Sequence, residues 1–258
     1  MGNEMKYYDV DIKIRDRINH NANYSRERPV LSIVVPCYNE QDIFEYSFKS
    51  LYALLDDLVK EGLIENKSYL LFIDDGSKDD TWSLIESASH KFDRVKAVKL
   101  SRNKGHQVAL LAGLCESNAD ITISIDADLQ DDISVIKEMI IHYLNGSDVV
   151  YGVRNDRTSD TFFKRKTAGF FYKTMKWMGV EQVPQHADFR LLSKRAKDAL
   201  VSYKEQSLYL RGLVPLVGYK SSKVEYSRSA RTAGESKYPL SKMLALAISG
   251  ITSLTVTP

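Results

Sequence analysis

Short apolar runs rich in β-branched residues punctuate the first 155 positions: LSIVVP (31–36), YLLFID (69–74), VKAVKL (95–100), ITISID (121–126) and DVVYGV (148–153). Each is bounded by turn residues, a combination that predicts strands. Between them, 40–60, 80–91, 105–118 and 132–145 carry apolar side chains at helical spacing. Leu51, Leu54, Leu55 and Leu58 recur at intervals of three and four, as do Ile136, Met139, Ile140 and Tyr143. Strand and helix alternating at this rhythm predict right-handed crossovers and an α/β fold, a mainly parallel central sheet flanked by helices in the Rossmann manner.

In such sheets ligands sit beyond the carboxyl ends of the strands. Here every conspicuous polar cluster follows a predicted strand: Asn39-Glu40, Asp74-Asp75, Ser101-Arg102-Asn103, Asp126 to Asp132, and Arg154 to Arg157. Five clusters are thereby directed to one edge, which is the main reason to expect a site there. Past residue 155 the pattern loosens. FFKRKTAGFFYKTMKWM (162–178) alternates aromatics with cations and reads either as an amphipathic helix on an acidic or lipid surface or as a helix burying its aromatics. A short strand at ADFRLLS and a helix near 194–203 follow, then a basic stretch ending in RTAGESKYP. No repeat, low-complexity tract or linker divides the chain.

At 258 residues the chain has room for one large α/β domain. The net charge of +2 conceals an asymmetry. Acidic clusters lie in the first half, and basic residues crowd the second, a distribution suited to phosphate or an anionic membrane surface. Two cysteines, Cys37 and Cys115, lack CxxC spacing and read as reduced, buried thiols of a cytosolic protein. The first 28 residues are polar, mixed in charge and without an apolar core, so they read as an arm and not a signal peptide. The uncharged run of 16 after Lys242 falls short of the roughly 18–20 residues that span a bilayer.

The sharpest chemistry is in IDADLQDD (125–132), where Asp126, Asp128, Gln130, Asp131 and Asp132 stand together. An Asp-x-Asp at a strand tip is compatible with a solvated capped turn, with a divalent-cation site of hard oxygen donors, or with a phosphoryl-accepting aspartate. The last is disfavoured because the motif follows the fourth strand. A cation between Asp126 and Asp128 would relieve the mutual repulsion of the carboxylates and could bridge to a diphosphate. A nicotinamide dehydrogenase is excluded, since no GxGxxG follows any strand.

VVPCYNE (34–40), FIDDGSKDDT (72–81), LSRNKGHQVALLAGL (100–114), SIDADLQDD (124–132), YGVRNDR (151–157), ADFRLL (187–192) and RTAGESKYPL (231–240) occur in this order. Together they resemble a family 2 glycosyltransferase of GT-A fold, specifically the polyprenyl-phosphate branch typified by dolichol-phosphate mannose synthase and bactoprenol glucosyltransferase. The resemblance covers about residues 30 to 258 and divides the chain into a polar arm (1–28), a catalytic domain (29–237) and a juxtamembrane or interfacial segment (238–258).

That resemblance implies an inverting transfer of a hexose from a nucleotide-diphosphate sugar, UDP favoured, to a polyprenyl phosphate at the cytoplasmic membrane face. Mg2+ or Mn2+ would be the cofactor. The expected partners are the nucleotide sugar, the lipid phosphate and the membrane surface, with no nucleic acid; a homo-oligomer is left open. Pro36, Tyr38, Asn39 and Glu40 would wall the base and ribose. Asp74 and Asp75 would contact the base or ribose, while Asn103 and Gly105 to Gln107 would cap a helix beside the donor. Asp126, Asp128 and Gln130 would hold the metal and diphosphate, and Arg154, Arg157, Arg231, Ser236 and Lys237 the phosphates. Asp188 would position the acceptor or serve as a weak base, or simply pair with Arg190, which braces the site. Such enzymes often continue into transmembrane helices after the GESKYPL region. The end at Pro258 is therefore compatible with a piece of a longer enzyme, or with docking through 162–178 and 238–258. The alternatives are a transferase acting on a sugar or protein hydroxyl, a metal-dependent phosphotransferase, and a nucleotide-sugar binding module without turnover.

Overall fold

A computed structural model of the chain describes residues 24–155, 186–203 and 210–227. In chain order the elements are β1 (Leu31–Cys37), α1 (Gln41–Lys60), β2 (Tyr69–Asp74), α2 (Thr81–Lys91), β3 (Val95–Lys99), α3 (His106–Glu116), β4 (Ile121–Ser124), α4 (Ile136–Leu144), β5 (Val149–Arg154), β6 (His186–Ser193), α5 (Lys194–Ser202), α6 (Leu210–Leu216) and β7 (Ser221–Tyr226).

The strands form one seven-stranded sheet in the order β3-β2-β1-β4-β6-β5-β7. All pairings are parallel except the two made by β6, which runs antiparallel to both β4 and β5. The mainly parallel α/β sheet expected from the alternation is what forms. The inserted β6 has a consequence for the site: its amino end lies at the carboxyl end of β4, with Ser124 paired to Arg190. Residues just before Arg190 therefore join the edge where the polar clusters collect.

Strand side chains alternate between two apolar layers, as a period of two requires. Leu31, Ile33 and Val35 of β1, Leu70 and Phe72 of β2, and Ile121 and Ile123 of β4 pack with α1, α2 and α4. Val34, Leu71 and Ile73 face the opposite layer, where Leu110 and Leu114 of α3, Leu200 of α5 and Leu213 of α6 close the core. Of the predicted stripe Leu51, Leu54, Leu55 and Leu58, all but the partly buried Leu54 are buried, each buried side chain contributing about 1.5–3 kcal/mol by leaving water.

Three local departures have identifiable causes. Helix α4 starts four residues later than expected, because Asp132 accepts the Ser134 N–H at 2.9 Å and caps a 3-10 turn first. Residues 24–28, which the polarity of the sequence groups with the arm, lie on the domain. Ser25 donates to Leu144 O at 2.7 Å, and Arg26 reaches Ser147 O, Gly146 O and the buried carboxylate of Asp148. Cys37 is buried as expected, but Cys115 is exposed on α3 beside Glu116, so the expectation of two buried thiols is corrected. Among the described residues no helix is long and apolar enough to cross a membrane. The stretch 162–178 and the segment 238–258 lie outside the described residues.

Candidate active site

The loops after β1, β2 and β3 brace one another. Asn39, held at φ 53°, donates its N–H to Ser77 Oγ (2.9 Å) and accepts the Lys78 N–H on its side-chain oxygen (2.9 Å). Asn tolerates this left-handed conformation better than most residues. The Glu40 N–H reaches Thr81 Oγ1 at 2.8 Å. Pro36 is buried in β1, and Tyr38, Asn39 and Glu40 are half-buried where the strand ends. Gly76, at φ +67°, lies so close to the next loop that a Cβ would come 2.6 Å from Arg102 C and from Asn103 N. Only glycine permits that approach.

Asp74 and Asp75, expected at the base or ribose, are both buried and both turned to the backbone. Asp74 accepts the Ser77 N–H at 3.3 Å. The two oxygens of Asp75 take the N–H groups of Lys104 (2.7 Å) and Gly105 (2.9 Å). Asp75 thereby fixes the entry to α3, directly before His106 and Gln107, while Asn103 is exposed on the same loop. The Cys37 thiol is pushed well above its usual range by burial and by the nearby charges of Glu40, Asp74 and Asp79, so it is a packing residue and not a nucleophile.

The start of α3 meets the tips of β4 and β6. His106 Nε2 stands 3.5 Å from Asp126 Oδ1 and 3.5 Å from Asp188 Oδ2. Gln107 donates from Nε2 to Asp188 Oδ2 at 3.2 Å and accepts the Leu210 N–H of α6 at 3.3 Å. Asp188 is also paired with the buried Arg190, whose Nη2 lies 2.5 Å from Oδ1. Ser124 Oγ, on β4, donates to the Asp188 carbonyl. The predicted pairing of Asp188 with Arg190 is thus present, inside a larger group. His106 falls within the Gly105 to Gln107 stretch expected beside the donor, but its approach to both Asp126 and Asp188 is not something the LSRNKGHQVALLAGL motif indicates.

Asp126, Asp128, Gln130 and Asp131 occupy a tight turn after β4. Leu129 has φ +44°, a left-handed conformation that costs a non-glycine residue about 1–2 kcal/mol. Ser47 of α1 anchors the turn, its Oγ 2.5 Å from Ala127 O. The Asp126 carboxyl is pushed above its usual range, first by desolvation; His106 opposes this, and the charges of Asp188, Asp131 and Asp128 add to it. Gln130 is buried, and its amide nitrogen has no partner among the described residues.

These residues fit a divalent cation. Two carboxylates and an amide oxygen are hard donors, and the excess negative charge at Asp126 is what a dication would relieve. Among the described residues no three His, Cys, Asp or Glu side chains converge on a ready-made cage.

Of the predicted phosphate ligands, Arg154 is held elsewhere: its Nε and Nη2 donate to Asp131 Oδ1 at 3.2 and 3.0 Å. Tyr226, which the motifs also leave out, donates to the same oxygen at 2.7 Å. Arg157, Arg231, Ser236 and Lys237 lie outside the described residues. A surface recess lined by Arg26, Asp120, Tyr143, Asp148, Ser193, Lys194 and Arg195 is at the opposite end of β4 and β6 and is unrelated to this cluster.

The acidic turn after β4 and the aspartate at the start of the antiparallel β6 both approach His106 at the carboxyl edge of this sheet. Residues 32–201 match the profile of Glycosyl transferase family 2, and the chain belongs to that family. It is 51% identical to the uncharacterized glycosyltransferase YkoT of Bacillus subtilis (strain 168), over 90% of this chain and 70% of that protein. It is 37% identical to the prophage bactoprenol glucosyl transferase homolog of Escherichia coli (strain K12), over 88% and 73%. Among solved structures, glucosyl-3-phosphoglycerate synthase from Mycobacterium tuberculosis in complex with Mn2+, UDP and phosphoglyceric acid shares the fold. Its TM-score is 0.58 at 17% identity, over 87% of this chain and 78% of that one.

Proposed function

We propose that this glycosyltransferase moves a hexose from a UDP-sugar to a polyprenyl phosphate at the cytoplasmic face of a membrane, with inversion and with Mg2+ or Mn2+ bound. The carrying observation is the meeting of the acidic turn with Asp188 across the β4–β6 junction. The bactoprenol glucosyl transferases related to this chain support the lipid acceptor. The Mn2+ and UDP held by the mycobacterial synthase of the same fold support the donor and metal.

Asp126 and Asp128, with Gln130, would hold the cation, which supplies positive charge to the departing diphosphate. Pro36, Tyr38, Asn39 and Glu40 would enclose the nucleoside. Arg157, Arg231, Ser236 and Lys237 would meet phosphate oxygens. In the transfer, the bond from the anomeric carbon to the diphosphate oxygen breaks and one to the acceptor oxygen forms on the opposite face, releasing UDP. Both oxygens of Asp188 already accept hydrogen bonds or face His106. An acceptor needing little deprotonation suits such a carboxylate better than a sugar hydroxyl does. A phosphate monoester, with its second pKa near 6, is such an acceptor. Asp188 and Arg190 then act on position more than on the proton.

The test is to incubate the purified protein with labelled UDP-glucose, undecaprenyl phosphate in detergent and Mn2+, and to extract the lipid. Label in an acid-labile lipid product, absent with EDTA, is expected. Label only in free sugar, or only on a hydroxyl acceptor, would overturn the proposal.

A further inference from the structure

Within the acidic turn, Asp131 has its charge matched by the protein itself. It is 3% exposed, and a carboxylate so buried needs partners. Arg154 from the end of β5 and Tyr226 from the end of β7 both donate to its Oδ1. Arg154 Nε is also 3.3 Å from the Tyr226 hydroxyl, closing a three-membered group. Tyr226 is 4% exposed, and its ring meets Phe189 edge-on at 5.4 Å between centroids. Phe189 separates Asp188 from Arg190 in the chain. Tyr226 therefore touches the acidic turn through its hydroxyl and the Asp188 strand through its ring.

The turn has reason to need such a hold. Leu129 is left-handed, and the carboxylates of Asp126 and Asp188 are brought together, each 3.5 Å from the same His106 nitrogen. Left alone, repulsion and backbone strain both favour opening it. Ser47 secures its first half through Ala127; the second half, past Leu129, is secured by Asp131.

We infer that Tyr226 and Arg154 are positioning residues: by gripping Asp131 they fix the turn in the shape that presents Asp126 and Asp128 to the cation and diphosphate. This rests on the metal-assisted reading of the site. It assigns Arg154 to the turn and not to a substrate phosphate, and gives β7 a part in the site that none of the recognised motifs contains.

Tyr226→Phe keeps the ring and removes the hydroxyl; Asp131→Asn keeps the shape and removes the charge. Hydrogen exchange of the metal-free proteins reads the turn directly. Amides of 127–132 should exchange about five-fold faster or more in both variants, while β4 stays protected. Calorimetric titration of UDP with Mn2+ then reads the consequence: about ten-fold weaker binding, the scale of one lost hydrogen bond to a carboxylate. Unchanged exchange overturns the inference. So does faster exchange with unaltered Mn2+–UDP affinity, or a defect confined to the KM for polyprenyl phosphate, which would make Arg154 an acceptor ligand. Wild-type protein that binds UDP without any metal dependence would sink the metal reading instead, and the exchange experiment would still decide whether the grip exists.

Discussion

Replacing Asp75 by Asn separates a carboxylate that builds the site from one that touches the donor. Asp75 is 3% exposed, with Oδ1 accepting from Lys104 and Oδ2 from Gly105. Asn keeps the shape and one acceptor oxygen but sets an NH2 group against the second backbone N–H. Losing a hydrogen bond to a charged group and leaving a donor unmatched together cost about 2–4 kcal/mol. For a protein of this size the melting midpoint should fall by about 5–10 °C. His106 and Gln107 follow immediately, so UDP affinity measured well below the midpoint should fall too. Calorimetry of unfolding and of UDP binding gives both quantities. An unchanged midpoint with lost UDP binding would refute the bracing role and restore Asp75 as a direct donor ligand.

Other consequences follow from the same geometry. Gly76→Ala should cost more than about 3 kcal/mol in urea unfolding, because φ +67° is unfavourable and the new Cβ meets backbone at 2.6 Å; a loss under about 1 kcal/mol would show that the loops separate easily. Although burial pushes Asp148 up, hydrogen bonds from Arg195 and Ser193 and the charge of Arg26 outweigh it, and its carboxyl lies below the usual range. The stabilisation is thus present above the unfolded value near 3.9 and lost as pH falls through the depressed folded one. Arg26→Ala should cost about 1–3 kcal/mol at pH 7, a difference from wild type that shrinks below about pH 4; a constant difference would contradict this. Asp188→Asn should keep measurable turnover with a polyprenyl phosphate, within about 100-fold of wild type. Complete loss of turnover with unaltered acceptor affinity, read by direct binding, would make it an obligatory base.

Much of the fold was legible from short-range patterning. The five strands of the first half and the helices between them sit within a few residues of where apolar spacing placed them, because β1, β2, β4 and most of β5 are buried on both faces and the helices each bury one stripe, while the edge strand β3 buries only Val95 fully. The polar clusters after β2, β3 and β4 collect at one edge because parallel strands carry their carboxyl ends to the same side. What patterning could not reveal was the antiparallel insertion of β6, since strand order depends on long-range pairing. Nor did it reveal β7, although SSKVEY buries Ser222, Val224 and Tyr226 in strict alternation. In the site, Asp126, Asp128 and Asp188 were legible as types in motifs. The inward turn of Asp75 and the three-way contact of Asp131 were not, because hydrogen-bond partners 29 and 95 residues away leave no local trace.

The central claim is that Asp126 and Asp128 seat a dication that grips the donor's diphosphate. Calorimetric titration of UDP into wild type and Asp128→Ala, each with Mn2+ and with EDTA, tests it most directly. Binding should require the metal in wild type and weaken by on the order of 100-fold, about 2.7 kcal/mol, in the variant. Equal affinity in the two proteins, or wild-type binding indifferent to EDTA, would contradict it.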